Sequence, residues 1–101
     1  MEEWYEGSDL KFLVEMTASG FDMDEDNWSV GVQCGTKIVR VYAKEECIQG
    51  EDGKWYVCID RDVLRKGDLS LIAYADVPDT DFDDGYRNEV DKSRMGKILK
   101  V

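Results

Sequence analysis

The sequence predicts an all-β chain, an antiparallel sandwich of about seven strands. Three observations carry that reading. Apolar residues alternate with polar ones at a period of two along most of the chain, and nowhere does helical spacing persist for three turns. One proline and nine glycines punctuate the 101 residues, favouring strands and turns over long helices. Turn signals separate the alternating runs at short intervals, which is the layout of a sandwich, with a small barrel as the competing closure.

The elements follow in order. Residues 1–8 are expected to form an N-terminal extension, and residues 9–101 a single sandwich domain. From Asp9 to Ala18, Leu10, Phe12, Val14, Met16 and Ala18 share one face, with Leu13 an exception on the other. An acidic loop, residues 19–26, leads to a cleanly alternating run in which Trp28, Val30, Val32 and Cys34 point inward. Gly35-Thr36 reads as a two-residue hairpin turn of type II′, because glycine accepts the positive φ of its first position. Residues 37–43 return as a strand with Tyr42 in an outward phase, and residues 44–54 read as a polar loop. Trp55, Val57 and Ile59 define the inward face of the next strand, and residues 61–67 one helical turn with Leu64 pointing in. The longest apolar run, residues 68–77, sets Leu69, Leu71, Ala73 and Ala75 inward and Ile72 and Tyr74 outward, until Pro78 ends it. A second acidic loop, residues 79–85, precedes two strands, residues 86–92 and 95–101, the last a candidate open edge guarded by Lys97 and Lys100.

Size and composition narrow the function. At 101 residues the chain is one domain able to bury about two-thirds of its unfolded surface. It contains no histidine, which removes Ser-His-Asp and Cys-His nucleophiles and histidine zinc sites. The formal charge of −10 disfavours nucleic acid and anionic membranes as partners, and the longest apolar stretch falls far short of a membrane span. The charge is uneven: residues 1–50 hold 11 acids against 4 bases, residues 51–101 hold 12 against 9. Cys34, Cys47 and Cys58 are odd in number and form no CxxC, so free thiols in a reducing compartment are expected. The opening residues, acidic rather than basic and apolar, are not those of a signal peptide.

Two constellations could carry chemistry. Asp22, Asp24 and Asp26 have the spacing of the first oxygen ligands of an EF-hand loop, and Asp79, Asp81 and Asp83 repeat it. Both lack the glycine at its proper place and the closing glutamate, so a calcium site between the loops is the minority reading. The majority reading is that these aspartates start turns by bonding their own backbone. The same carboxylates, at mobile and acidic loop tips, are poorly placed for acid–base catalysis, which needs one of them desolvated. The aromatics offer a second constellation. Trp28 and Trp55 stand in inward phases and read as core, whereas Trp4, Tyr42 and Tyr74 read as contacts for a partner.

The run Leu10-Lys-Phe-Leu-Val-Glu-Met16, followed by the acidic loop ending in Trp28, and the stretch from Gly67 to Val90 after Leu64-Arg-Lys-Gly67, together resemble small proteins of phage-derived regions in gut Bacteroides-type genomes. The same layout is similar to the immunoglobulin-like N-terminal modules of phage baseplate and tail-fibre proteins. The resemblance spans most of residues 9–101 and implies an immunoglobulin-like sandwich without catalytic or cofactor residues. It implies a non-enzymatic structural or adaptor module of a tail, baseplate or cell-surface assembly, cytoplasmic before assembly and virion-associated after it. Its partner would be another protein or a second copy of itself. The alternative is a calcium- or carbohydrate-binding β-module.

Overall fold

The computed structural model describes residues Glu2–Val101. It is all-β, with two stacked sheets. Eight strands run in the order β1 (Glu2–Tyr5), β2 (Leu10–Val14), β3 (Trp28–Cys34), β4 (Lys37–Ala43), β5 (Ile48–Gln49), β6 (Trp55–Ile59), β7 (Gly67–Pro78) and β8 (Tyr86–Leu99). The larger sheet has the order β1-β8-β7-β3-β4 and the smaller β2-β6-β5. All pairings are antiparallel except β1 against β8, which is parallel.

Several expectations change at the ends of the chain. The residues expected to form an extension contain β1, which pairs Glu2 with Gly96 and Tyr5 with Leu99. The terminal run is therefore covered by β1 rather than being an open edge. It is also not a separate strand: residues 86–99 form one continuous β8, with a register shift opposite Leu69 and Ser70 that absorbs Met95. The polar loop after β4 contains a 3₁₀ turn at Lys44–Glu46 and the two-residue β5. The helical turn expected after β6 is a hydrogen-bonded turn closed by the Val63 N–H on the Asp60 carbonyl, and Leu64 enters the core from it as expected.

The core forms where the inward faces meet. Val14, Trp28, Val30, Val32, Cys34, Val57, Ile59, Leu64, Leu69 and Ile98 are buried together. Phe12 and Leu71, expected there, are only partly buried, as is Ala73. For Leu71 and Ala73 the reason is geometric, since three strands cannot cover the inner face of five; Phe12 lies on β2, which ends the smaller sheet. Between β3 and β4, Gly35 alone adopts a positive φ, 63°, and Thr36 does not, which is the φ pattern of a type II′ turn rather than I′. At β8 a different glycine is required. A Cβ on Gly96 would lie 2.4 Å from the Glu2 carbonyl oxygen and 2.7 Å from the Trp4 ring, so only glycine lets β1 approach. Trp4 then packs edge-on against Phe12 of the other sheet, with ring centroids 5.5 Å apart. The β7–β8 hairpin runs well past the small sheet, stretching the molecule to 49 Å in its longest dimension.

Candidate functional site

The first acidic loop is built from its own side chains. The Asp24 N–H donates to Asp22 Oδ1 at 2.8 Å, and the Asp22 N–H donates to Asp26 Oδ2 at 2.9 Å. These are the local turn bonds that short acidic side chains favour. The remaining oxygens face donors from elsewhere. Asp24 Oδ1 accepts from Trp55 Nε1 and from Gln49 Nε2, both at 2.9 Å. The Lys44 ammonium donates to the carbonyls of Asp24 and Asp26 at 2.8 and 2.9 Å, and stands 5.5 Å from the centre of the Trp55 ring. A lysine thus ties two of the loop's backbone carbonyls together. Beneath it, Trp28 meets Trp55 edge-on at 5.2 Å and donates Nε1 to the Met23 carbonyl at 2.9 Å.

The second loop behaves similarly. Asp79 accepts the Asp81 N–H at 3.0 Å and pairs with the Arg87 guanidinium, which also holds Glu89. The Asp81 N–H first, and then Arg87, hold the Asp79 carboxyl below the usual carboxylate range. Asp81 and Asp83 are exposed. Among the described residues no three carboxylates or thiols converge as a metal ion would require, so the structure does not bring Asp22, Asp24, Asp26, Asp79, Asp81 and Asp83 together.

The aromatic contacts expected from sequence divide three ways. Trp4 is half-buried between the sheets. Tyr74 is half-buried on the outer face, its ring lying on Gly31. Tyr42 requires correction. It pairs with Val30, an inward residue, so its side chain points into the sandwich and is only 4% exposed. The register shift opposite Val32 and Gln33 lets inward-facing β4 residues reach the core edge. The Arg40 guanidinium covers the Tyr42 ring at 4.3 Å, the hydroxyl finds no partner among the described residues, and burial raises its pKa. The aromatics that do reach solvent are Tyr5, Phe82 and Tyr86. Phe82 lies within the acidic hairpin tip and Tyr86 directly after it, where alternation does not extend and sequence phase says nothing of exposure. On the outer face of the large sheet, Val41 and Val90 are 47% and 62% exposed, on either side of Gly31 and Tyr74.

Two concave regions remain. One is an open hollow of about 510 Å³ beside Trp55, lined also by Asp26, Asn27, Lys44 and Gln49. The other is a groove between residues 13–18 and the Glu89–Met95 stretch of β8. Two adjoining cavities, about 220 and 130 Å³, make it up, and both are lined by Glu15, Met16, Ala73 and Asp91. Leu71 and Ala75 of β7 continue its floor. Sequence reading missed this groove, although one signal was present: the inward phase of β2 runs on through Met16 and Ala18, past the last residue that β6 pairs.

No protein-family model, curated protein or solved structure matches this chain.

Proposed function

We propose that the chain is a non-enzymatic structural or adaptor module, an immunoglobulin-like sandwich that holds another polypeptide in a phage-derived tail, baseplate or cell-surface assembly. The observation that carries this reading is the set of open strand edges. β1, β4, β2 and β5 each end a sheet, and an open edge offers unpaired backbone groups to a further chain. The strand order supports the immunoglobulin-like assignment. The sheet β2-β6-β5 corresponds to strands B, E and D of that fold, and β8-β7-β3-β4 to G, F, C and C′. The buried tryptophan of strand C has its counterpart in Trp28, without the disulfide that accompanies it in antibody domains. The eighth strand and the parallel β1–β8 pair are additions to the seven-strand plan. Exposed apolar residues beside the β4 edge, Ile38 and Val41, give a partner something to bury.

The test uses photo-reactive residues placed singly at Tyr5, Val41 and Val90 in the full chain, expressed in its native source. Cross-links from one or more positions to a defined segment of a virion or surface protein are expected. A strict monomer at high concentration, no cross-linked partner and measurable turnover on some substrate would overturn the reading.

A second reading attaches to the hollow beside Trp55, where an aromatic ring adjoins Asp26, Asn27 and Gln49, the mixture that sugar hydroxyls and their apolar faces prefer. Glycan-array binding lost in Trp55→Ala but kept in Val41→Lys would support it over the adaptor.

A further inference from the structure

Resting on the adaptor reading, and naming a site within it, we propose that the groove beside β2 accepts an extended peptide that pairs with the free edge of β2 and alternates aliphatic with basic residues. Three independent observations lead there. The first is backbone. β2 pairs only with β6, so alternate residues from Leu10 to Val14 direct their N–H and C=O groups to an edge with no strand on it. The chain beyond it, residues 15–17, makes no backbone pairing among the described residues. Facing it, β8 is covered by β1 only from Gly96 to Leu99, so residues 86–94 also have an unpaired side.

The second is apolar surface. The groove floor is Leu71, Ala73 and Ala75, flanked by Met16 and Met95. In a sandwich these positions face a fourth strand of the smaller sheet; here they face a cavity. Side chains on one face of an added strand would enter it, since successive residues of a strand point to opposite faces. Two methionines in the walls suit a surface that repacks around the side chains it receives.

The third is charge. The groove carries Glu15, Glu89 and Asp91, and no lysine or arginine lines it. Arg87 reaches Glu89, but among the described residues Asp91 accepts only the Lys92 N–H, and Glu15 is exposed without an ion pair. Lys92, the base of β8 next to Asp91, does not compensate it. Lys92 pairs with Ile72 on the outer face, whereas Asp91 pairs with Ala73 on the inner one. Glu15 has the outward phase of β2, where the lysines or arginines of an added strand would lie, while Asp91 and Glu89 keep the inner side negative, so a basic occupant is favoured and an acidic strand such as another copy of this −10 chain is disfavoured.

The experiment uses the full chain and blocked synthetic peptides of about nine residues, a usual strand length. One alternates lysine with valine, one glutamate with valine, one lysine with serine. The lysine–valine peptide is expected to bind roughly tenfold or more tightly than either other, with affinity falling as salt rises. Hydrogen exchange should slow at residues 10–17 and 86–94. The double variant Glu15→Lys with Asp91→Lys, both exposed and checked for an unchanged melting temperature, should reverse the preference toward glutamate–valine. Equal binding of all three peptides, protection confined to β1 or β4, or no binding up to roughly 1 mM would overturn the proposal. Self-association that protects residues 10–17 without peptide would also overturn it, by making a second copy the occupant. Cross-linking of a native partner solely through Val41, with no protection along β2, sinks this site and leaves the adaptor reading standing.

Discussion

Replacing Gly96 with alanine tests the claim that β1 is held by close backbone approach rather than by side chains. The added Cβ would meet the Glu2 carbonyl oxygen at 2.4 Å and the Trp4 ring at 2.7 Å. The first neighbour is backbone and cannot swing aside, so β1 must move. Overpacking of this kind costs about 1–3 kcal/mol, and alanine recovers about 0.5–1 kcal/mol of that over glycine within a strand. A net loss of about 1–2 kcal/mol should lower Tm by roughly 4–16 °C in a domain of this size. The loss should also be local. Hydrogen exchange should quicken at residues 3–5 and at Glu6, whose N–H reaches the Leu99 carbonyl, while β3 and β7 stay protected. Trp4→Ala combined with Gly96→Ala should destabilise less than the two changes summed, because one of the two clashes then disappears. A Tm within about 1 °C of the parent, with exchange at residues 3–5 unchanged, would show that β1 does not depend on the missing side chain.

Four further outcomes are expected. Trp28→Ala, at a site 1% exposed, should cost about 3–5 kcal/mol by chemical denaturation, and a loss under about 1 kcal/mol would contradict its place in the core. Lys44→Met should loosen the first acidic loop, seen as faster exchange at residues 22–26 and a lower Tm; exchange at residues 22–26 unchanged from the parent would mean that the lysine does not hold the loop. Iodoacetamide at pH 8 should label exposed Cys58 first, because burial, then Glu46, pushes the Cys47 thiol up to about 11, and Cys34 is buried; mass spectrometry showing Cys47 labelled first would refute this. Asp79 is held below its ordinary range when folded, so its contribution is present above that range and is lost as pH falls through the lowered value. Asp79→Asn should therefore flatten part of the acid limb of the Tm–pH profile and leave the profile between pH 7 and 8 unchanged in slope.

What the sequence made legible follows the period of two. Where one face of a strand is buried, as in Trp28–Cys34 or Leu69 and Val57, phase alone identifies the core, because a one-residue slip would expose the whole set. Phase fails where the register is interrupted. Tyr42 lies beyond a bulge, and Lys37–Ala43 has apolar residues in both phases, so pattern could not choose between Tyr42 and Val41. The same kind of interruption at Met95 lies within β8, which the pattern divided into two strands, residues 86–92 and 95–101. β1 was hidden because Glu2-Glu-Trp-Tyr5 is mostly polar and its ladder depends on a glycine more than ninety residues away, a long-range relation that local alternation does not encode. The acidic loops were read correctly as turn formers in part, through Asp22 and Asp79, but the donors that complete them, Lys44 and Trp55, come from distant strands. The groove was illegible for a related reason. It is made of residues whose phase is normal and whose partner strand is missing.

The parallel pairing of β1 with β8 has a mechanical consequence. Glu2 lies beside Gly96 and Tyr5 beside Leu99, so the two strands point the same way and their outer ends lie at opposite ends of the ladder. Tension applied between Glu2 and Leu99 therefore slides the strands lengthwise. Every bond of the ladder must yield together, rather than one after another as when a hairpin is peeled open from its end. The Glu6–Leu99 bond extends the loaded length, and Trp4, wedged against Phe12, must be dragged through the space between the sheets. Pulled along this axis, the fold should resist as a clamp, while the β7–β8 hairpin, loaded across its turn, would give way pair by pair.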